Sequence, residues 1–326
     1  MQYEIDAYND VMKKLSIICL KGYESFLGWT TPLEKEYDIR RVISGQDRKA
    51  IEDAADWGDI VWLEWCNETA ICATNYLFYK HGQTSVPEKK IIIRLHSFEA
   101  FFGYIDKIAW PVVDRLVFVS PHIRGIAYAY NDLPRSVATE VIPNGIDLDN
   151  TPQLDPDPGF NIAMVSRISH KKGPMLAIQV LKKLTDADKR YTLHWAGNVQ
   201  EPRYDIYLNY MAENMGIKEN LVFHGHLDNM DAFWKEQNFL LSTSPHESFG
   251  YGIFEAAARG VRPVVHNFYG AKDIYPHEWL FNTPEEAAEL ITSPKPLSRP
   301  LRQELIERKY TLKDQVSSIR QMLENV

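Results

Sequence analysis

Short apolar runs recur along this chain, each followed by a longer amphipathic or polar stretch. In the first half they are Leu15–Leu20, Ile60–Trp65, Lys90–Leu95, Leu116–Ser120 and a brief Val141–Ile142. The second half repeats the rhythm at Asn161–Ser166, Tyr191–Ala196, Leu221–Phe223, Phe239–Thr243 and Val261–His266. Runs this short and this continuously apolar read as strands buried on both faces, which in turn implies parallel sheets covered by helices. Between the halves, Asp147–Gly159 carries three prolines and four aspartates among its residues, which suits neither a sheet nor a helix interior. With 326 residues the chain has the length of about two domains. The expectation is therefore an α/β protein with two similar, doubly wound domains, 1–147 and 148–326, and a central cleft between them.

Helix signals agree with that frame. Thr283-Pro-Glu-Glu286 offers an N-cap, a proline at the first helical position and a capping-box glutamate. Pro174 follows Gly173 and opens the helically spaced Met175–Leu184. The tail 301–326 also has helical spacing, and the expectation is a terminal helix that packs back on the first domain. The formal charge of −8 argues against a chain-wide nucleic-acid surface and leaves room for a local basic pocket. Cys19, Cys66 and Cys72 are too few for a disulfide framework, which points to a reducing compartment. No apolar run reaches the ~18 residues that span a bilayer, and the polar, acidic start is unlike a signal peptide. The chain is read as cytoplasmic, with peripheral contact at the inner membrane face left open.

The strongest chemical signal is His246-Glu-Ser-Phe-Gly-Tyr-Gly-Ile-Phe-Glu-Ala-Ala-Ala-Arg-Gly260, directly after the run Phe239–Thr243. Gly250 and Gly252 permit a tight turn and close approach of backbone to a ligand. A helix starting near Gly252 would present free amides and a positive dipole to a phosphate, with Glu255 in its first turn. Because a phosphate repels carboxylates, Glu247 and Glu255 make better sense as acceptors for sugar or ribose hydroxyls. A second segment, Val165-Ser-Arg-Ile-Ser-His-Lys-Lys-Gly173, also lies between a strand and a helix. Its Arg167 and Lys172 can aim at one anion, as a diphosphate leaving group requires; Lys171 is a weaker candidate.

These two segments, together with Val141-Ile-Pro-Asn-Gly-Ile-Asp147, resemble the family-4 glycosyltransferases, the retaining, metal-independent group with the GT-B fold and a Glu-x7-Glu motif. The resemblance implies two Rossmann-like domains and a nucleoside-diphosphate sugar, UDP- or GDP-linked, as co-substrate, with no other cofactor and no metal. It implies that Arg167 and Lys172 bind the diphosphate, Glu255 the ribose and Glu247 the donor sugar. The backbone of Gly250, Tyr251 and Gly252 would lie along phosphates and sugar. The turn Gly225-His-Leu227 is similar to the place where the family's backbone reads the base, which makes Leu227 a donor-binding residue. The acceptor implied is a glycan or glycolipid, in polysaccharide, lipopolysaccharide or glycolipid assembly.

In the first half, Arg94-Leu-His-Ser-Phe-Glu99 resembles the family segment whose histidine touches the transferred sugar, and that role is carried to His96. Arg94 and Glu99 face the acceptor or pair with each other. Val119-Ser-Pro-His-Ile-Arg124 also resembles a family segment, with Ser120 and His122 near the cleft. The family's Gly-Gly loop after the first strand is absent here; Gly22, in Cys19-Leu-Lys-Gly-Tyr-Glu-Ser-Phe-Leu-Gly28, is the residue placed for close approach to the donor. Trp62 and Trp65 read as core residues, with sugar stacking as the alternative. Strand alternation puts Trp62 and Glu64 on one face. The Asp-x-Asp triplets at Asp147, Asp155 and Asp186 read as solvated turns, and His224-Gly-His226 as half a metal site with nothing to complete it. Two rival readings accompany the transferase: a non-catalytic nucleotide-sugar-binding partner of a glycan-assembly complex, and a nucleotide-sugar epimerase.

Overall fold

A computed structural model of the chain describes residues 12–45, 47–82, 88–154 and 156–326. The chain divides into two compact units, one through Ile142 together with Val316–Val326, the other Pro143–Gln315. Each holds a six-stranded, wholly parallel sheet.

The first sheet is built from β1 (Lys14–Leu20), β2 (Asp38–Ser44), β3 (Ile60–Glu64), β4 (Lys90–Leu95), β5 (Arg115–Phe118) and β6 (Ala138–Val141), in the order β2-β1-β3-β4-β5-β6. The β3 strand is buried along its whole length, β1 apart from its two end residues and β4 apart from its first, as their largely apolar sequences require. The sequence rhythm misses β2, whose Arg40-Arg41 interrupts the apolar pattern. An edge strand needs no second buried face, and β2 alternates exposed with half-buried residues. The flanking helices α1 (Arg48–Trp57), α2 (Glu68–Lys80) and α3 (Pro121–Tyr130) begin at conventional stops. Asp47 accepts the Ala50 amide, Asn67 that of Thr69, and Pro121 opens α3.

The second sheet contains β7 (Asn161–Val165), β8 (Thr192–Ala196), β9 (Leu221–Gly225), β10 (Phe239–Ser242), β11 (Arg262–His266) and β12 (Leu280–Phe281), in the order β12-β11-β10-β7-β8-β9. The two-residue β12 is too short for a periodicity to reveal. Alternate residues feed two cores. Ala163, Leu240 and Val265 face one, while Ile162, Met164, Leu241 and Val264 face the other. Helices α4 (Pro174–Ala187), α5 (Pro202–Asn214), α6 (Met230–Trp234), α7 (Tyr251–Arg259), α8 (Ala271–Ile274), α9 (Pro284–Thr292) and α10 (Leu301–Glu307) complete the unit, and α11 (Leu312–Glu324) follows. At α9, Thr283 accepts the Glu286 amide, and Glu286 reaches back to the amide of Asn282 at 2.6 Å.

The tail is two helices, not one. Lys309 takes a left-handed conformation (φ +58°) and stops α10. Thr311 then restarts the chain, its hydroxyl accepting the Asp314 amide at 3.1 Å and donating to the Asp314 carboxylate at 2.5 Å. The motif Pro143–Asp147 lies against this restart: Ile146 pairs with Thr311, and a Cβ on Gly145 would meet the Thr311 carbonyl at 2.4 Å.

Candidate functional site

In the second unit the strand order runs outward in both directions from β7 and β10. Their carboxyl ends therefore diverge at a topological switch point, where open α/β sheets bind ligands. A cavity of about 200 Å³ opens there, lined by Val165 at the end of β7, Ser166 just beyond it, Ser244 beyond β10, and Lys172, Glu247 and Gly250–Gly252. Loops such as those of Lys172 and Glu247, 75 residues apart in sequence, converge because parallel strands deliver all their outgoing loops to one edge.

Close backbone packing shapes this edge. Gly197 (φ +142°) lies so near Ser166 that a Cβ would sit 2.0 Å from its carbonyl oxygen, and the Gly197 amide donates to the Gly225 carbonyl at 2.7 Å. Gly173 (φ +59°) caps α4, where a Cβ would be 2.1 Å from the Thr243 carbonyl. Gly250 (φ +79°) occupies the N-cap of α7 and supplies no side-chain cap, while its carbonyl accepts the Ile253 amide at 3.0 Å. The preceding carbonyl, of Phe249, is fixed by the buried Tyr275 hydroxyl at 2.6 Å, a support with no local sequence signal.

The structure brings Lys172 and Glu247 together as an ion pair, Nζ to Oε1 2.5 Å, and the Ser244 hydroxyl donates to the same oxygen at 2.7 Å. The Thr243 hydroxyl holds the Lys172 carbonyl at 2.7 Å. Arg167, one residue beyond the cavity-lining Ser166, is exposed and has no hydrogen-bond or ion-pair partner among the described residues. Lys171 is exposed as well. Glu255 falls in the second turn of α7, not the first, because the helix starts at Tyr251. Its half-buried carboxylate has no hydrogen-bond partner among the described residues, and burial raises its pKa above the ordinary value while Arg259, one turn on, pulls the other way. Leu227, half-buried after β9, packs against the same core as Val165 and Tyr251.

In the first unit the switch point lies between β1 and β3. Gly22 follows β1 in a left-handed conformation (φ +94°) with open space where a Cβ would be, and its amide donates to Glu24 at 2.8 Å. His96, just beyond β4, is 2% exposed. Its Nε2 lies 2.7 Å from Glu64 Oε1, and its ring stacks on Trp65 with centroids 3.9 Å apart. The other Glu64 oxygen accepts the Trp62 indole at 2.6 Å, so these two residues share a face as alternation requires. Burial pushes the Glu64 carboxyl up, but Arg94, the His96 hydrogen bond and Trp62 outweigh it, and its pKa lies below the ordinary value.

Arg94 and Glu99 do not pair with each other, and both are fully buried. Arg94 is buried beside Glu64, and Glu99 accepts the amides of Cys66 (3.2 Å), His96 (3.1 Å) and Ser97 (2.7 Å). The 3-10 turn at Phe98–Ala100 swings Glu99 back onto the strand ends. Trp62 and Trp65 are buried core residues; the polar Ser120 and His122 at the start of α3 are buried too. Among the Asp-x-Asp triplets, Asp147 accepts the Asp149 and Asn150 amides of its own turn, Asp186 pairs with Lys182 and Asp188 with Arg190; Asp155 lies outside the described residues. His224 contacts His194, and His226 lies by Asp228. Among the described residues no three His, Cys, Asp or Glu side chains group to hold a metal, and no helix is long and apolar enough to cross a membrane.

Two parallel sheets, each with its polar groups gathered beyond the strands' carboxyl ends, define a protein of the GT-B glycosyltransferase fold. The chain belongs to the family described as glycosyl transferases group 1, whose model matches residues 149–311. It is similar in structure to Anabaena HepE, solved in complex with UDP and glucose (TM-score 0.77, 16% identity, 96% of this chain and all of that one). A similar likeness holds to the lipopolysaccharide outer core galactosyltransferase WaaB in its apo form (TM-score 0.67, 15% identity, 96% of this chain and all of that one). A stretch of 120 residues is 30% identical to the tRNA-queuosine alpha-mannosyltransferase of Drosophila melanogaster; it covers 36% of this chain and 31% of that relative's length.

Proposed function

We propose that this protein transfers a sugar from a nucleoside-diphosphate sugar, UDP- or GDP-linked, to a hydroxyl of a glycan or glycolipid, without a metal and with retention of anomeric configuration. The observation that carries the reading is the cavity at the second switch point, where Lys172, Glu247 and the start of α7 converge beside an unpaired Arg167. Arg167 and the first-turn amides of α7 supply positive charge to the diphosphate. Lys172 is held by Glu247 until the diphosphate competes for it, after which Glu247 can accept a hydroxyl of the donor sugar. Glu255 takes the ribose hydroxyls, the turn at Gly225–Leu227 meets the base, and Gly22 and His96 meet the transferred sugar.

In the reaction the acceptor oxygen bonds to the anomeric carbon as the bond from that carbon to the diphosphate oxygen breaks, on the same face of the sugar. The acceptor's proton passes to a diphosphate oxygen, and Arg167 and Lys172 stabilise the charge that develops there. HepE, crystallised with UDP-glucose, supports a nucleotide-sugar donor for this chain too. Place of action in the cell, including any contact with the inner membrane face, belongs to the same proposal.

Thermal unfolding with UDP, GDP, UDP-glucose and GDP-mannose tests the reading. A ligand at 100 times its Kd stabilises by about 2.7 kcal/mol, so at least one should raise Tm by several degrees. A Tm unmoved by every one of them defeats the proposal. Retention is checked by the anomeric signal of the first-formed product, and metal independence by undiminished turnover in chelator.

A further inference from the structure

We propose that Glu64 is a positioning residue that sets the tautomer and orientation of His96, an inference that rests on His96 meeting the transferred sugar. Glu64, Arg94 and His96 form a buried polar group at the carboxyl ends of β3 and β4, with Glu64 and Arg94 fully buried and His96 nearly so. Buried charges are costly, and an apolar trio of the same volume would often be as stable. The distances show which of its two basic neighbours the carboxylate meets directly, its other oxygen taking the Trp62 indole at 2.6 Å. Glu64 Oε1 is 2.7 Å from His96 Nε2 but 3.6 Å from Arg94 Nη1, outside hydrogen-bond range. A carboxylate present only to satisfy the arginine would meet it in a bidentate fork at about 2.7–2.9 Å.

The chain accepts backbone strain at the same spot. Trp65, directly after Glu64, adopts φ +82°, a left-handed conformation that is uncommon for a bulky side chain. That conformation accompanies an indole stacked on the His96 ring at 3.9 Å and 18°. Phe26 meets the same ring edge-on at 5.1 Å. The imidazole is thus gripped in its plane by Glu64 and on one face by the Trp65 indole, with Phe26 packed edge-on beside them. With Glu64 ionised, Nε2 carries the proton it donates, and in the neutral ring Nδ1 keeps its lone pair as acceptor for a sugar hydroxyl. The nearby Cys19 thiol, pushed up to about 12 by burial and by the Glu64 charge, stays protonated.

The test combines long-range ¹H–¹⁵N NMR of the full chain, labelled at histidine, with turnover of UDP-glucose or GDP-mannose. In the wild-type protein, at a pH where its ring is neutral, His96, identified by its loss in His96→Ala, should show a protonated Nε2 and a bare Nδ1. A protonated Nδ1 there overturns the proposal without any variant of Glu64 having to fold. In Glu64→Gln the new amide can donate to Nε2, so the Nδ1–H tautomer should appear and kcat should fall about 10²-fold or more, with KM for the donor within about threefold. Adding Glu64→Gln to His96→Ala should then cost no further activity. Normal kcat in Glu64→Gln alongside a crippled His96→Ala refutes the positioning role alone. Full activity in His96→Ala refutes the role of His96 itself and Glu64's with it.

Discussion

Glu255 is the residue whose replacement should move stability and binding in opposite directions. Its carboxylate is half-buried and lacks a hydrogen-bond partner among the described residues, while the neighbouring Arg259 spends its guanidinium on Asp231 at 2.8 Å and on the Glu255 carbonyl at 3.3 Å. Burial raises the pKa of Glu255, so its ionisation in the fold costs free energy. Glu255→Gln keeps the packed stem and removes that cost. The ligand-free variant should therefore melt above wild type at pH values beyond the raised pKa. The gap should close as pH falls below the ordinary carboxylate range, where wild-type Glu255 is protonated in both folded and unfolded chains. Binding should respond the other way. Two hydroxyl hydrogen bonds to a carboxylate are worth about 1.5–3 kcal/mol each against about 0.5–1.5 for neutral pairs, a loss of roughly 2 kcal/mol or more. That is about 30-fold in Kd for the nucleotide, readable by titration calorimetry with UDP or GDP, whichever binds wild type. Unchanged affinity would refute the ribose assignment, and an unchanged or lowered melting temperature at neutral pH would refute the account of the buried charge.

Arg167→Ala should leave Tm within about 1 °C, since the side chain is exposed and unpaired, yet slow transfer by about 10²-fold; a normal single-turnover rate contradicts its place at the diphosphate. Gly250→Ala should lower stability by about 1–3 kcal/mol and weaken nucleotide binding, because φ is +79° and the new Cβ would lie 2.6 Å from the Tyr275 hydroxyl; denaturant unfolding with an unmoved midpoint would show that the loop yields freely. Glu99→Gln replaces one acceptor oxygen by a donor group among three amide donors, which should cost about 1–3 kcal/mol by the same measurement, and no loss would mean those amides find other partners.

Much of this architecture is legible in the sequence because parallel strands buried on both faces need unbroken apolar runs, as in Ile60–Glu64 and Lys90–Leu95. Where that requirement lapses, at the edge strand β2 with its arginines and at the two-residue β12, the signal disappears. Candidate residues carried by a single turn could be named from the sequence, since Arg167 and Lys172 follow β7 and Gly250 to Gly252 span the start of α7. Contacts between loops were not. The Lys172–Glu247 pair joins residues 75 apart, and the Glu64–His96 bond joins residues 32 apart, through the register that sets Glu64 beside Arg94. No local pattern specifies which of several nearby charges a carboxylate will choose, and for this reason the expected Arg94–Glu99 pairing is absent. A capping pair at Thr311 and Asp314 was present in the tail, yet the helical spacing around it concealed the break.

The first unit is discontinuous, and its closing segment Val316–Val326 emerges from the ribosome only after all of Pro143–Gln315 has been translated. At about 5–20 residues per second, the nascent sheet waits on the order of ten to thirty seconds for that segment. During the wait Glu36 lacks the two-pronged grip of Arg320, and the places later filled by Ile319, Met322 and Leu323 stand empty. The later-made unit has all its strands before the earlier one is finished, which reverses the usual N-to-C order of domain completion.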